Sequence, residues 1–273
     1  MELLILLGLI ALGAGAGVMG ALFGLGGGVI FVPVLMLVFG MAPAEAAAVS
    51  LVGIVAGSVG ASSVFVEKGL ANVRLGLLLE VTTTAGAIAG ALIAGYMQEW
   101  ALSLVFCGVM IYSALRMILS PEKVVEPNGN GGRLSFEYND EAKGEKIAYE
   151  VQNVKAGSLA CVFAGMLSSM TGVGGGAIKV PVMNLIMHVP MKAASSTSSY
   201  MIGITAFSGA ITYLFSGILD LQFAGGVAIG AFLGAILGSH LARRTSTAHL
   251  RKYFSVVLFL MSALVLLRVG GIL

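Results

Sequence analysis

Ten apolar stretches punctuate the chain, at about 3–22, 29–39, 46–66, 74–96 and 100–119, then at about 156–171, 177–187, 194–215, 222–242 and 252–270. Most approach the ~20 residues that a helix needs to cross a bilayer. The stretches at 29–39 and 177–187 fall short, since eleven residues give only about 16 Å of helix at ~1.5 Å each. Each follows a glycine cluster, so each reads as half of a helix broken inside the membrane. Between the two sets lies a polar insert, 120–153, in which Leu134–Tyr138 (LSFEY) and Ile147–Val151 (IAYEV) alternate in character. Alternation on both sides of a polar segment predicts a small β-hairpin; a disordered linker is the other reading, and neither assigns chemistry to the insert.

The two sets are copies. GLGGGVIFVPVLM (Gly24 to Met36) and GVGGGAIKVPVMN (Gly172 to Asn184) agree at eight of thirteen positions without a gap. The same spacing of 148 pairs Ser50 with Ser198, Gly69 with Gly217, Asn72 with Asp220, and Gly86 and Gly90 with Gly234 and Gly238. The chain is an internal duplication, organised as 1–119, the insert 120–153, and 154–273.

Composition narrows the class. Of 273 residues 58% are apolar and 10% charged, with mean hydropathy +1.00, against about 45–50% and about 25% in soluble domains. A globule of this size would expose far more apolar surface than water tolerates, so a polytopic membrane protein is expected. The 39 glycines suit close helix crossing in lipid. Residues 121–155 hold five basic and seven acidic side chains; this distribution gives no reason to expect nucleic acid as a partner. Cys107 and Cys161 lie in apolar runs with no metal or disulfide spacing, and Glu2 stands where a signal peptide would carry positive charge, so the N-terminal segment reads as a retained first helix.

Lys and Arg in short loops favour the cytoplasm, and here they orient the halves. Lys68 and Arg74 occupy loop 67–74, whereas its counterpart 216–221 has only Asp220. Glu99 stands alone in 97–100, whereas 243–252 carries Arg243, Arg244, Arg251 and Lys252. Glu45 in 40–45 answers to His188 and Lys192 in 188–193. The bias reverses at every pair. The expected fold is therefore an all-α membrane protein of two inverted-topology repeats, each of about five segments with a Gly-rich broken or re-entrant hairpin. Both termini would lie outside the plasma membrane and 120–153 in the cytoplasm.

Inverted repeats with interrupted helices are the architecture of secondary transporters. Irregular backbone survives at membrane depth only where protein or a watery cavity surrounds it. The clusters Gly24, Gly26, Gly27, Gly28 and Gly172, Gly174, Gly175, Gly176 precede short helices whose free N–H groups favour an anion. The alternative is that these glycines only permit tight helix crossing. They are not nucleotide loops, because no strand precedes them and no GK[ST] follows.

Lys179 lies on the second short helix, where the first copy has Phe31. A charge at the bilayer centre costs at least about 2.5–3.5 kcal/mol and normally faces the bundle interior. Lys179 is thus a candidate for holding an anionic substrate or a coupling carboxylate, with snorkelling to the surface as the alternative. Glu80, six residues beyond Arg74, is the proton-coupling candidate, because a buried carboxylate can carry a proton; an interfacial Glu paired with a neighbouring cation is the competing reading. Ser50, Thr197 and Ser198 open the segments after the hairpins and can line a polar cavity. No cofactor, metal or catalytic group is expected.

The duplicated G[LV]GGG-x-I-x-VPV, the later prolines, the Ser-containing helix starts and the paired glycines resemble the TauE/SafE sulfite exporter family over essentially the whole chain. The resemblance implies a multi-pass permease that exports sulfite, sulfoacetate or related sulfur-containing anions. By motif it points to the two glycine loops, Pro33, Pro181, Ser50 and the Thr197–Ser198 region; Lys179 and Glu80 come from charge burial alone. Val49 stands where many members have threonine. With no ATP-binding motif, energy would come from ion, voltage or substrate gradients, the inside-negative potential driving anions outward. The alternatives are an anion channel, a permease for another small oxyanion, or a redox partner using the two cysteines.

Overall fold

The computed structural model describes residues 3–94, 99–119, 125, 134–142, 144–171 and 175–269. The first half runs α1 (Leu3–Phe23), α2 (Gly28–Leu37), α3 (Pro43–Glu67), α4 (Val73–Ala94) and α5 (Glu99–Leu119). A hairpin of β1 (Ser135–Asp140) and β2 (Glu145–Glu150) follows. The second half runs α6 (Val154–Thr171), α7 (Gly176–Pro181) continuing into a π-helical turn (Val182–Ile186), α8 (Met191–Phe215), α9 (Leu221–Arg244) and α10 (Thr247–Val269). Three spans, Leu3–Phe23, Glu45–Glu67 and Leu221–Arg244, are long and apolar enough to cross a membrane. Outward-facing Leu3, Val81, Phe163, Phe215 and Leu237 give the surface an apolar character that only lipid would match.

The described helices fall into two compact units, and each draws on both halves of the sequence. The first comprises 1–76 with 195–244, the second 77–194 with 245–273. In the first, α1 lies along α9 in glycine-to-backbone contact. Gly13 and Gly17 face the backbone at Val227 and Ala231, while Gly230, Gly234 and Gly238 face Ile10, Ala14 and Val18. Small residues let the two backbones approach, which is how helices associate where lipid removes the hydrophobic drive. On α3, Gly53 and Gly60 seat Val227 and Phe232 of α9, and α2 contributes Phe31 and Leu35 to a core with Leu9, Val49 and Ile54.

The second unit repeats these contacts at the sequence spacing of 148. Gly86 of α4 meets Val162 of α6 as Gly234 meets Ala14, and Gly165 meets Thr83 as Gly17 meets Ala231. Local punctuation repeats too. Gly69 (φ +68°) and Gly217 (φ +69°) end α3 and α8 in the left-handed conformation. Their N–H groups donate to Val66 and Leu214, and the next N–H groups to Phe65 and Tyr213, satisfying carbonyls that the helix end leaves open. Three residues beyond each glycine a side chain caps the next helix: Asn72 Oδ1 accepts the N–H of Leu75, and Asp220 Oδ1 accepts those of Gln222 and Phe223.

The insert does form an antiparallel hairpin, pairing Ser135 with Glu150 through Asp140 with Glu145. Alternation turns Tyr138 and Asp140 inward together with Tyr149. Its base is tied to the end of the π turn, where Gln152 N–H donates to Met187 O (3.0 Å) and Asn153 Nδ2 to Ile186 O (3.1 Å).

Candidate functional site

The first glycine cluster is a true helix break. α1 stops at Phe23, and Gly24, Gly26 and Gly27 take φ of +70°, +74° and +84°, a region that residues with a Cβ enter only at a cost. Each also has a neighbour where a Cβ would stand: Ser195 backbone at Gly24, Ile202 at Gly26, Ala16 backbone at Gly27. At Gly28, where α2 begins, a Cβ would meet Ile54 at 2.7 Å and Ser50 Oγ at 3.4 Å. Ser198 Oγ donates to Gly24 O (2.7 Å), and Thr197 Oγ1 accepts the Asn72 N–H at the start of α4 (2.9 Å). Ser50, Thr197 and Ser198 are all buried. A cavity of about 10 Å³ remains beside Gly26, lined also by Gly20, Ser58 and Ser199, which is room for about one water molecule. In this conformation the Ser198 hydroxyl ties the break to α8.

In the second cluster Gly172 and Gly174 lie outside the described residues. Gly175 precedes α7 and Gly176 begins it. The aliphatic stem of Lys179 folds back over Gly175, so that a Cβ there would stand 2.8 Å from Lys179 Cε. Pro181 then cannot donate its turn's hydrogen bond, and the chain widens into the π turn, a form that recurs at functional sites.

Folded back in this way, Lys179 does not snorkel. Its side chain is 0% exposed, and its Nζ lies 2.9 Å from Glu80 Oε2 on α4, itself 6% exposed. The ammonium donates to the carboxylate. One turn along α4 from Glu80, Thr83 Oγ1 donates to Leu79 O, and Cys161 of α6 is buried. Glu80 and Lys179, 99 residues apart, are thus one feature. Removing either partner would strip the other of its buried counter-charge, at a cost of about 3–5 kcal/mol. At the equivalent positions the first unit has Phe31 and Ala228, with Phe31 fully buried. The same packing is therefore achieved without charge.

A second buried ion pair escaped the sequence reading. Asp140, at the end of β1, accepts from Lys192 Nζ at 2.5 Å, and both side chains are buried. Lys192 had counted only as a loop charge; the available signal was the strand alternation that places Asp140 on the inward face with Tyr138. The second unit also holds a groove of about 360 Å³ between α5, α6 and α7, lined by Phe163, Leu167, Ile178 and Leu185 with Arg116 among its walls. Among the described residues no three His, Cys, Asp or Glu side chains gather as a metal site.

The model of the family described as "Sulfite exporter TauE/SafE" matches residues 9–265. A Bacillus subtilis relative named "Probable membrane transporter protein YunE" is 27% identical over 92% of this chain and 94% of its own. Probable membrane transporter proteins of Methanocaldococcus jannaschii and Haemophilus influenzae are 26% and 24% identical, over 97% and 89% of both chains. No solved structure matches. The first glycine break and the duplicated packing fall inside the matched span, and the chain belongs to the TauE/SafE sulfite exporter family of integral membrane transporters.

Proposed function

We propose that the protein exports a small sulfur-containing anion, sulfite or a short organosulfonate such as sulfoacetate, across the plasma membrane by alternating access. The observation that carries this reading is Lys179: a fully buried ammonium on a short helix that holds Pro181 and runs on into a π turn. A buried charge in a membrane protein marks a substrate or ion path, and a cation there selects for anions. The remaining candidates are taken unit by unit: Gly24, Gly26, Gly27 and Gly28 with Ser50, Thr197 and Ser198 in the first, and Gly172, Gly174, Gly175 and Gly176 with Lys179 in the second. They act in a conformation more open than the one that leaves about 10 Å³ beside Gly26. Protons are the proposed coupling ion, with Glu80 the group that carries them.

The loop charges support a membrane orientation with the hairpin in the cytoplasm and both termini outside. Lys192, in the first turn of α8, is one of the charges that place 188–193 in the cytoplasm on this reading, and the hairpin reaches it through Asp140.

Purified protein in sealed vesicles tests the reading. Saturable efflux of sulfite or sulfoacetate is expected, with Lys179→Ala reducing it by about a hundredfold, the loss of one charged contact to an anion. Unitary current steps without saturation would instead identify a channel, and unchanged efflux in Lys179→Ala would remove Lys179 from the path.

A further inference from the structure

We propose that the groove between α5, α6 and α7 seats a phospholipid with an anionic headgroup, its phosphate on Arg116 and an acyl chain along the apolar walls. The seat is independent of which anion the protein carries.

The groove belongs to one unit alone. Its volume of about 360 Å³ falls within the roughly 300–1,000 Å³ of sites that hold small molecules. Ala164, Ile178 and Val182, all buried, make the floor, and the exposed rings of Tyr112 and Phe163 make the lips. Left empty, such a slot costs its walls their packing contacts, and in a bilayer the chains at hand are acyl chains.

The cation stands at one end. Arg116 lies in the last turn of α5, three residues before the helix stops at Leu119, or about 5 Å along the axis. Beyond it comes the polar insert, out of which α6 starts at Val154, so this end of both helices lies at a membrane surface. On α6 the lining runs from Ala160 to Leu167, six to thirteen residues past Val154, which places it about 9–20 Å in. Half of a hydrocarbon core is about 15 Å. The guanidinium is therefore at headgroup level and the apolar lining at the depth of acyl chains in the same leaflet. A phospholipid has its parts in that order. A small anion makes no use of the slot, and an uncharged lipid makes none of the cation.

Arg116 is exposed, and its planar fork of donors suits a phosphate. Among the described residues the ion pairs are Lys68–Glu67, Lys146–Glu137, Lys179–Glu80 and Lys192–Asp140, none of which includes it. Lys155, exposed in the first turn of α6, adds a second cation toward the same surface. Where α5 reads Ser113-Ala114-Leu115-Arg116, α10 reads Ser262-Ala263-Leu264-Val265, so the cation is particular to α5 rather than a requirement of the repeated fold. Basic pockets between helices on the cytoplasmic side recruit anionic headgroups, and the loop charges assign this end to the cytoplasm. The third wall is α7 with its π turn, so the seated lipid touches the helix that carries Lys179.

The test uses the full chain in detergent, titrated with phosphatidylglycerol or phosphatidylcholine of identical acyl chains and read by native mass spectrometry. The parent is expected to hold phosphatidylglycerol about tenfold more tightly than phosphatidylcholine, and Arg116→Gln to lose about fivefold for phosphatidylglycerol and nothing for phosphatidylcholine. Ala160→Phe, which fills the slot from its half-buried rim, should weaken both lipids. Arg74→Gln removes an exposed cation elsewhere and should bind both as the parent does. Glycerol 3-phosphate, a headgroup without chains, should not displace bound phosphatidylglycerol. Equal binding of the two lipids by the parent, a preference unchanged in Arg116→Gln, or an equal loss in Arg74→Gln would overturn the proposal. So would displacement by glycerol 3-phosphate, the mark of a site for the headgroup alone, or a dimer that Ala160→Phe dissolves, the mark of a seat for a second copy of the chain. None of these readings involves sulfite efflux, so the exporter reading stands or falls separately.

Discussion

Gly15 and Gly17 stand two residues apart on α1, yet a methyl group added to each would meet different surroundings. Around Gly15 there is nothing within 4 Å, whereas at Gly17 the new Cβ would strike the backbone carbonyl of Ala231. Gly15→Ala should therefore be neutral or stabilise by up to about 1 kcal/mol, because alanine loses less backbone freedom in a helix. Gly17→Ala should destabilise by about 1–3 kcal/mol as α1 is pushed from α9. Thermal unfolding in detergent reads both, and equal melting temperatures would contradict the packing. Much at this scale was legible in the sequence. The pairing of Gly86 with Gly234 was visible as a spacing, and the structure gives both a backbone to lie against. The Lys179–Glu80 pair was not, because 99 residues separate its members and no local pattern records a contact over that length. Burial cost singled out each residue, but only the fold that brings α7 to α4 could join them.

At the scale of elements, hydrophobic runs located the ten helices among the described residues to within a few residues, since each run must satisfy its own backbone in lipid. Pattern could not foresee the π turn, because α2 carries Pro33 at the equivalent position and stays α-helical. Nor could it dock the hairpin, whose inward face is set by which strand residues meet Met187 and Lys192. That docking makes a definite claim. Asp140→Asn would leave the Lys192 ammonium buried without its counter-charge and should destabilise the hairpin's attachment by about 3–5 kcal/mol. Trypsin cleavage at Lys146, exposed on β2, should accelerate accordingly. Adding Lys192→Met to Asp140→Asn should recover most of the loss; a loss as large in the double variant would mean that the ion pair is not what holds the hairpin.

For the molecule as a whole the duplication was the most legible feature, because its spacing survives in glycines and caps whose roles are local. The opposed orientation of the halves comes from loop charge alone, and it is open to a direct test. Lys68 and Ser216 are counterparts at the spacing of 148, both in exposed turns. In intact cells, Lys68→Cys should resist a membrane-impermeant thiol reagent and Ser216→Cys should react. Reaction of both from the same side would abolish the inverted arrangement. The division into two units that each draw on both halves also bears on how the protein is made. Gly13 of α1 waits for Val227, 214 residues later in the chain, and at ribosomal rates of about 5–20 residues per second the interval is about 10–40 s. Throughout that time the grooved face of α1 borders lipid or whatever escorts the nascent chain. Insertion and folding are thereby separated in time, and mutations on that face should show first as degradation during biogenesis.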